Sequence, residues 1–252
     1  RELHIGLLNL MPDTALTATE RQFMHLVGST NLPIHFYLYP FTIPEQDRGG
    51  RAQAHIDDHY FNFSALKEEG LDALIVTGAN IVEPELEQVL IWKPLIKIAD
   101  WANAHVASSI YSCLSAHAML KHQYRIPRQL LSQKQWGVYR HNVCHPEHPL
   151  LSNLPAEFDT PHSRWNTITK LQLEQAGLPV LAESEDAGVH IAVSPDQFQN
   201  IYFQGHPEYD ADSLLKEYRR EILRYLNGDR AFEPPHPENY LPADAADIAN
   251  RY

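Results

Sequence analysis

The sequence predicts an α/β domain whose mostly parallel sheet is covered by helices on both faces. Two observations lead there. Strand-like and helix-like segments alternate along the chain, and the strand-like segments are continuous apolar runs rather than alternating ones. Continuous apolar strands are buried on both faces, which parallel sheets require.

The elements follow in order. LHIGLLNLM (3–11) reads as the first strand, and a helix is expected over about 14–28. That helix carries Thr17-x-x-Glu20, a capping-box pattern, with Phe23, Leu26 and Val27 at helical spacing. PIHFYLYPF (33–41) reads as a second strand, followed by a polar loop around Gly49-Gly50. ALIVTGAN (73–80) is a third strand ending in a glycine turn, and 85–103, which includes Trp92 and Trp101, reads as helix. HVASSIYS (105–112) and LSAHAMLKH (114–122) form the next strand and helix. From Pro127 to about Pro161 the pattern weakens into proline-rich loops. VLAES, VHIAVSP and NIYFQGHP (180–184, 189–195, 200–207) read as strands, the first two turning at Asp186-Ala187-Gly188. A charged helix is expected over 212–226, and an irregular tail over 229–252 wraps the surface. The whole of 1–252 is read as a single domain, with no repeat or low-complexity tract.

Composition narrows the function. The chain has 252 residues, 44% hydrophobic and 21% charged, as a globular protein does. Acidic residues outnumber basic ones 32 to 20, a net charge of -12, which argues against a nucleic-acid backbone as partner. A local Arg/Lys cluster can still take a small anion. No apolar run nears the roughly 20 residues of a membrane span, and no signal peptide is evident at the start. Two cysteines, Cys113 and Cys144, make no disulfide framework and suit a reducing cytoplasm with one working thiol.

Cys113 stands where SSIYS passes directly into LSAHA, at the carboxyl end of a strand and the start of a helix. Ligands of open α/β sheets bind at such ends. A helix N-terminus offers free N–H groups and a positive dipole end, both of which favour a thiolate nucleophile. The N–H of Leu114 is then placed to stabilise an oxyanion, with a second donor from the Gly78-Ala79 turn. Position alone leaves nucleophile and buried structural thiol equally open. A thiolate also needs a base and the base an orienting group, and GHPEYD supplies both. If the strand stays extended through Pro207, residues i and i+2 put His206 and Glu208 on one side.

The segments LNLMPDTALTATERQFMHLVGST, VTGAN, SIYSCLSAHAML, WGVYRH, TPHSRWN and QGHPEYDADSLLKEYRR resemble, in order, the landmarks of the homoserine O-succinyl/acetyltransferase family. The resemblance runs from about residue 3 to 226. It implies a class I glutamine-amidotransferase-like (flavodoxin-like) fold and a catalytic triad of Cys113, His206 and Glu208. It also implies that Lys134, Ser163 and Arg220 bind substrate, with Arg220 on the amino acid's carboxylate. The family usually has an aromatic residue directly after the nucleophile and Gln four residues after it; here these are Leu114 and His117. In the loop linked to acyl choice, Glu implies acetyl and a small residue succinyl. This chain has Val82 there, followed by Glu83.

The chemistry implied is ping-pong transfer of a succinyl group, or an acetyl group, from acyl-CoA to the hydroxyl of L-homoserine, in methionine biosynthesis. Succinyl is the expected donor. L-serine as acceptor, a glutamine-amidotransferase-like hydrolase, and a non-catalytic binding protein are the alternatives. No cofactor or metal is expected, acyl-CoA being a co-substrate, and a homodimer is. His141, Cys144, His145 and His148 crowd into RHNVCHPEH, but their spacing matches no standard zinc pattern. His117 lies one helical turn beyond Cys113 and is expected to pack beneath it rather than serve as base.

Overall fold

The computed structural model describes residues 2–30, 33–81 and 83–240. Among them nine strands form one sheet: β1 (Glu2–Leu8), β2 (His35–Phe41), β3 (Ala73–Val76), β4 (Ser108–Ser112), β5 (Gln129–Val143), β6 (Glu157–Thr167), β7 (Val180–Ser184), β8 (Gly188–Val193) and β9 (Asn200–Phe203). The helices are α1 (Leu16–Gly28), α2 (Gly50–His59), α3 (Phe63–Glu69), α4 (Trp92–His105), α5 (Leu114–Tyr124), α6 (Lys170–Gln175) and α7 (Ser213–Leu226). No helix among these residues is long and apolar enough to cross a membrane.

Strand order is β2-β1-β3-β4-β9-β8-β7-β5-β6. From β2 to β9 the neighbours are parallel, and from β9 to β6 they are antiparallel. The expected α/β sheet is therefore present, with an antiparallel half added beside the parallel one. The continuous apolar runs are explained by two-sided burial. On β1, Leu8 packs with Phe41, Leu74, Val76 and the inner faces of α4 and α5, while Ile5 and Leu7 pack with Ile75 and Phe23 of α1. Each such side chain removed from water contributes about 1.5–3 kcal/mol. The sheet and its two helical layers hold the ends of β3, β4 and β9 side by side.

Several expected elements differ. α1 begins at Leu16 after Ala15, so Thr17 lies inside the helix and no side chain caps it. The polar loop at Gly49-Gly50 instead leads directly into α2, because Asp13 accepts from the Gly49 N–H at 2.7 Å and holds the entry to the helix. The proline-rich stretch after Pro127 contains the long β5–β6 pair, which spans 129–167. α6, which the apolar pattern did not reveal, is fixed by a capping box between Thr169 and Gln172. The tail does wrap the surface as far as it is described. Glu238 bridges to Gly137, its N–H donating to Trp136 O at 2.8 Å and its carbonyl accepting from Val138 N at 2.9 Å.

Candidate active site

Cys113 is the N-cap of α5 and has φ 53°, ψ −110°. That left-handed backbone is rare for a residue with a Cβ and costs of order 1–3 kcal/mol. The surroundings enforce it. The Cys113 N–H donates to Phe203 O at 2.7 Å, tying the turn to the end of β9. Ser115 Oγ donates to the carbonyls of Val76 and Ser112, both at 3.0 Å, tying it to β3 and β4. The thiol is left half-buried at the carboxyl end of the parallel strands.

Gly78 lies directly opposite, since a Cβ added there would sit 3.5 Å from Cys113 Cβ and 4.0 Å from Met11 Sδ. Thr77 sets the neighbouring peptide. Its Oγ1 accepts from Leu10 N–H at 2.9 Å and donates to Gly78 O at 2.9 Å. In a trans peptide the N–H points opposite to the carbonyl, so the Ala79 N–H is turned away from Thr77. Leu114 begins α5, where first-turn N–H groups have no intrahelical acceptor. Glu83 is exposed and its carbonyl accepts from Arg128; Val82 lies outside the described residues.

β9 ends at Phe203, so His206 and Glu208 do not occupy alternate positions of an extended strand. A turn closes instead, with Tyr209 N–H donating to His206 O at 3.3 Å. The turn still joins the pair, because His206 Nδ1 and Glu208 Oε1 are 2.8 Å apart and both residues are buried. His206 is further held by Pro161 O, which accepts its N–H at 2.9 Å, and by the ring of Tyr209, stacked with centroids 4.3 Å apart. Its Nε2 is buried without a hydrogen-bond partner. Burial alone depresses the imidazole, but its interactions with Glu208 and with Cys113 outweigh it and hold the pKa well above the ordinary value. The ring thus lies under the influence of Cys113 as well as Glu208, with Glu208 bonded to its Nδ1.

Beneath this pair lies a layer of buried histidines. Gly205 is the residue that permits it, since a Cβ there would stand 2.7 Å from His162 Nε2 and 2.8 Å from His190 Nδ1. Arg164 Nε donates to His162 Nδ1 at 3.3 Å, and His162 Nε2 is 3.1 Å from His141 Nε2. His141 Nδ1 lies 2.8 Å from Tyr139 O, a group that only accepts. Arg164 only donates, so the chain of bonds is satisfied with both imidazoles neutral. Burial depresses the pKa of His141, His162 and His190 in turn. His117 is buried as expected, its Nε2 2.9 Å from Gln204 Oε1, and burial pushes it down to about 3.

Two of the three residues carried from the family resemblance, Lys134 and Ser163, converge on a residue that the resemblance did not single out, and Arg220 does not join them. Lys134 Nζ lies 3.2 Å from Glu217 Oε2 and 4.1 Å from the centroid of the Trp136 ring. Ser163 Oγ donates to the same oxygen at 2.6 Å, and Tyr209 OH to Oε1 at 2.5 Å. Burial raises Glu217, but the charge of Lys134 and the two hydroxyl donors outweigh it and lower the pKa. Burial depresses Lys134 against the pull of Glu217. Arg220 is exposed and has no ion pair with a described residue, yet its charge reaches Lys134. Glu217 and Arg220 are three apart on α7 and so share a face, a spacing readable in the sequence once Arg220 was singled out. Tyr209 and Met11 lay inside quoted motifs without a role. The RHNVCHPEH residues do not gather: His141 belongs to the buried layer, and His145 pairs with Glu147 at the surface. Among the described residues no group of three or more His, Cys, Asp or Glu has metal-holding geometry.

Comparison with known proteins bears on the fold and on the family. Solved structures of similar fold include a glutamine amidotransferase from Thermotoga maritima, TM-score 0.55 at 8% identity, covering 100% of this chain and 94% of that one. Another is a putative GMP synthase subunit from Thermoplasma acidophilum, TM-score 0.55 at 17% identity, covering 83% and 86%. These likenesses establish the fold alone. Sequence relatives include the homoserine O-succinyltransferases of Methylococcus capsulatus and Thiothrix nivea. Each is 53% identical over all 252 residues, which span 71% and 70% of those proteins. The family model for homoserine O-succinyltransferase matches residues 1–251. The chain belongs to the homoserine O-succinyltransferase family.

Proposed function

We propose that this protein transfers a succinyl group from succinyl-CoA to the hydroxyl of L-homoserine through a Cys113 thioester. The observation that carries the reading is the buried His206–Glu208 pair, whose Nε2 has no hydrogen-bond partner among the described residues and which interacts electrostatically with a strained cysteine at a helix N-terminus. The Cys113 thiolate attacks the thioester carbonyl of the donor, forming a C–S bond. The tetrahedral oxyanion is received by the N–H groups of Leu114 and Ala79 at the Gly78-Ala79 turn. As it collapses, the bond to the CoA sulfur breaks and His206 gives its proton to the departing thiolate. Neutral His206 then takes the proton of the homoserine hydroxyl as that oxygen attacks the acyl-enzyme. The Cys113–carbon bond breaks, O-succinylhomoserine leaves, and the thiolate–imidazolium pair is restored. Glu208 keeps the ring in one tautomer throughout.

The acceptor amino acid carries one positive and one negative group, and the Lys134–Glu217–Ser163–Arg220 cluster matches both. Arg220 takes the carboxylate in bidentate fashion. Glu217, already ionised and ringed by donors, takes the ammonium, and Lys134 and Ser163 hold it in place. The sequence relatives' shared name and the matched family model support homoserine as acceptor and succinyl as acyl group.

Intact-mass spectrometry tests the reading. Incubated with succinyl-CoA alone, the protein should gain one succinyl group that Cys113→Ala lacks, and homoserine should discharge it. Discharge by serine in preference to homoserine would move the acceptor. No adduct, with Cys113 still alkylatable, would overturn the acyl-CoA mechanism.

A further inference from the structure

Two guanidinium groups lie near Cys113, and they differ in what remains of their hydrogen-bonding capacity. Arg164 has an acceptor at each nitrogen: Nε donates to His162, one terminal nitrogen to Asn166 O at 3.2 Å and the other to Ala187 O. Arg128 is not. One terminal nitrogen donates to Glu83 O in the loop that follows the Gly78-Ala79 turn, and its Nε is buried with no partner. A buried donor left unmade costs about 1–3 kcal/mol, so a ligand that supplies an acceptor recovers it.

Position defines what that ligand is. Arg128 bridges the start of β5 to the loop after β3, the segment that leaves Gly78 opposite the nucleophile. Cys113 acts electrostatically on Arg128, and the charge of Arg128 lowers His117, one helical turn from the nucleophile. The carboxylates of Glu83 and Glu85 add a weaker pull on Arg128 than Cys113 does, and both side chains are exposed. The anionic end of a group bound to Cys113 would be drawn toward a cation that forms no ion pair with a described side chain.

We propose that Arg128 binds the free carboxylate of the acyl group carried on Cys113, and so selects a four-carbon dicarboxylic acyl donor over a neutral one. The inference rests on the acyl-enzyme reading above and names the residue that reads the acyl group's far end. The Nε and a terminal N–H of one guanidinium form the planar fork that a carboxylate accepts in two parallel bonds. Glu83 O, accepting from the other side, fixes the plane of that fork.

The test compares succinyl-CoA with butyryl-CoA, which has the same four carbons and a methyl group in place of the carboxylate. Acyl-enzyme formation is timed by intact mass for the wild-type protein, Arg128→Met and Arg128→Lys. The ratio of the two donors on one sample cancels any difference in folded fraction between variants. A charge-assisted bond predicts a wild-type preference for succinyl of about 10–100-fold, lost in Arg128→Met and partly kept in Arg128→Lys. A preference that survives Arg128→Met overturns the proposal, because another group then reads the carboxylate. So does an equal loss with both donors, which makes Arg128 a structural support of the loop. Wild-type loading by succinyl-CoA reports separately on the acyl-enzyme reading, and its absence removes both.

Discussion

Gly205 shows how a single missing Cβ shapes the site. It precedes His206 and passes over His162 and His190 at distances that no side chain tolerates. Gly205→Ala must push back either the buried histidine layer or the catalytic turn. The layer is the stiffer of the two, because His162 is held by Arg164 and His141 together. Displacement should therefore fall on His206, with a stability loss of about 1–3 kcal/mol, typical of overpacking. Acyl-enzyme formation should fall by 10²-fold or more, on the order of what a misplaced general base costs. Denaturant unfolding and timed mass measurements on the same sample check both halves. Normal loading at normal stability would show that the turn yields harmlessly. The residues proposed as a triad could be named from the sequence because each stands in a motif with chemical meaning: a thiol at a strand-to-helix turn and a His-x-Glu after a strand. Glu217 was not, since a glutamate inside a charged helix looks like solvated surface until its partners from β5, β6 and the catalytic turn are in place.

Among elements, legibility tracked the kind of burial. The parallel strands were readable as continuous apolar runs because both their faces are covered. The β5–β6 pair was not, because β5 mixes exposed polar residues with a few buried ones and β6 contains Pro161. A proline speaks against a central strand but is tolerated at an edge. β6 is one edge of the sheet, and β2, which contains Pro40, is the other. The hairpin also has a function that its composition hides: it supplies Lys134, Ser163 and the Pro161 carbonyl that holds His206. The tail is fastened to it at Gly137, where an added Cβ would lie 2.2 Å from Glu238 O. Gly137→Ala should therefore release the tail, breaking both backbone bonds of Glu238 and the 3.0 Å bond from Tyr139 OH to its carboxylate. Limited proteolysis should then cut within 229–240 under conditions that leave the wild-type tail intact. Equal protection in the two proteins would show that the tail is held elsewhere.

For the whole molecule, the buried histidines set a pH dependence whose sign can be worked out. His117, His141, His162 and His190 all have depressed values in the folded state. Unfolded, each takes up a proton near pH 6.5. Below that pH the unfolded chain binds more protons than the native one, so each of the four costs stability as the solution is acidified, down to its own folded value. His206 runs the other way. Its folded value is raised, so its contribution is fully present below about 6.5 and is lost as pH rises through the folded value. Below about 6.5 the contribution of His206 no longer changes, so the four act unopposed there and the melting temperature should fall steeply from about pH 6 downward. His117 makes the cause testable, because its window reaches from about 6.5 to about 3 and its contact is a single bond to the side chain of Gln204. His117→Gln keeps a side chain able to donate to Gln204 Oε1 but does not titrate. Its melting temperature should fall less between pH 6 and pH 4 than that of the wild type, with the two curves running parallel above pH 7. Parallel curves over the whole range would show that His117 adds nothing to the acid sensitivity, which would then rest on His141, His162 and His190 and on the carboxylates.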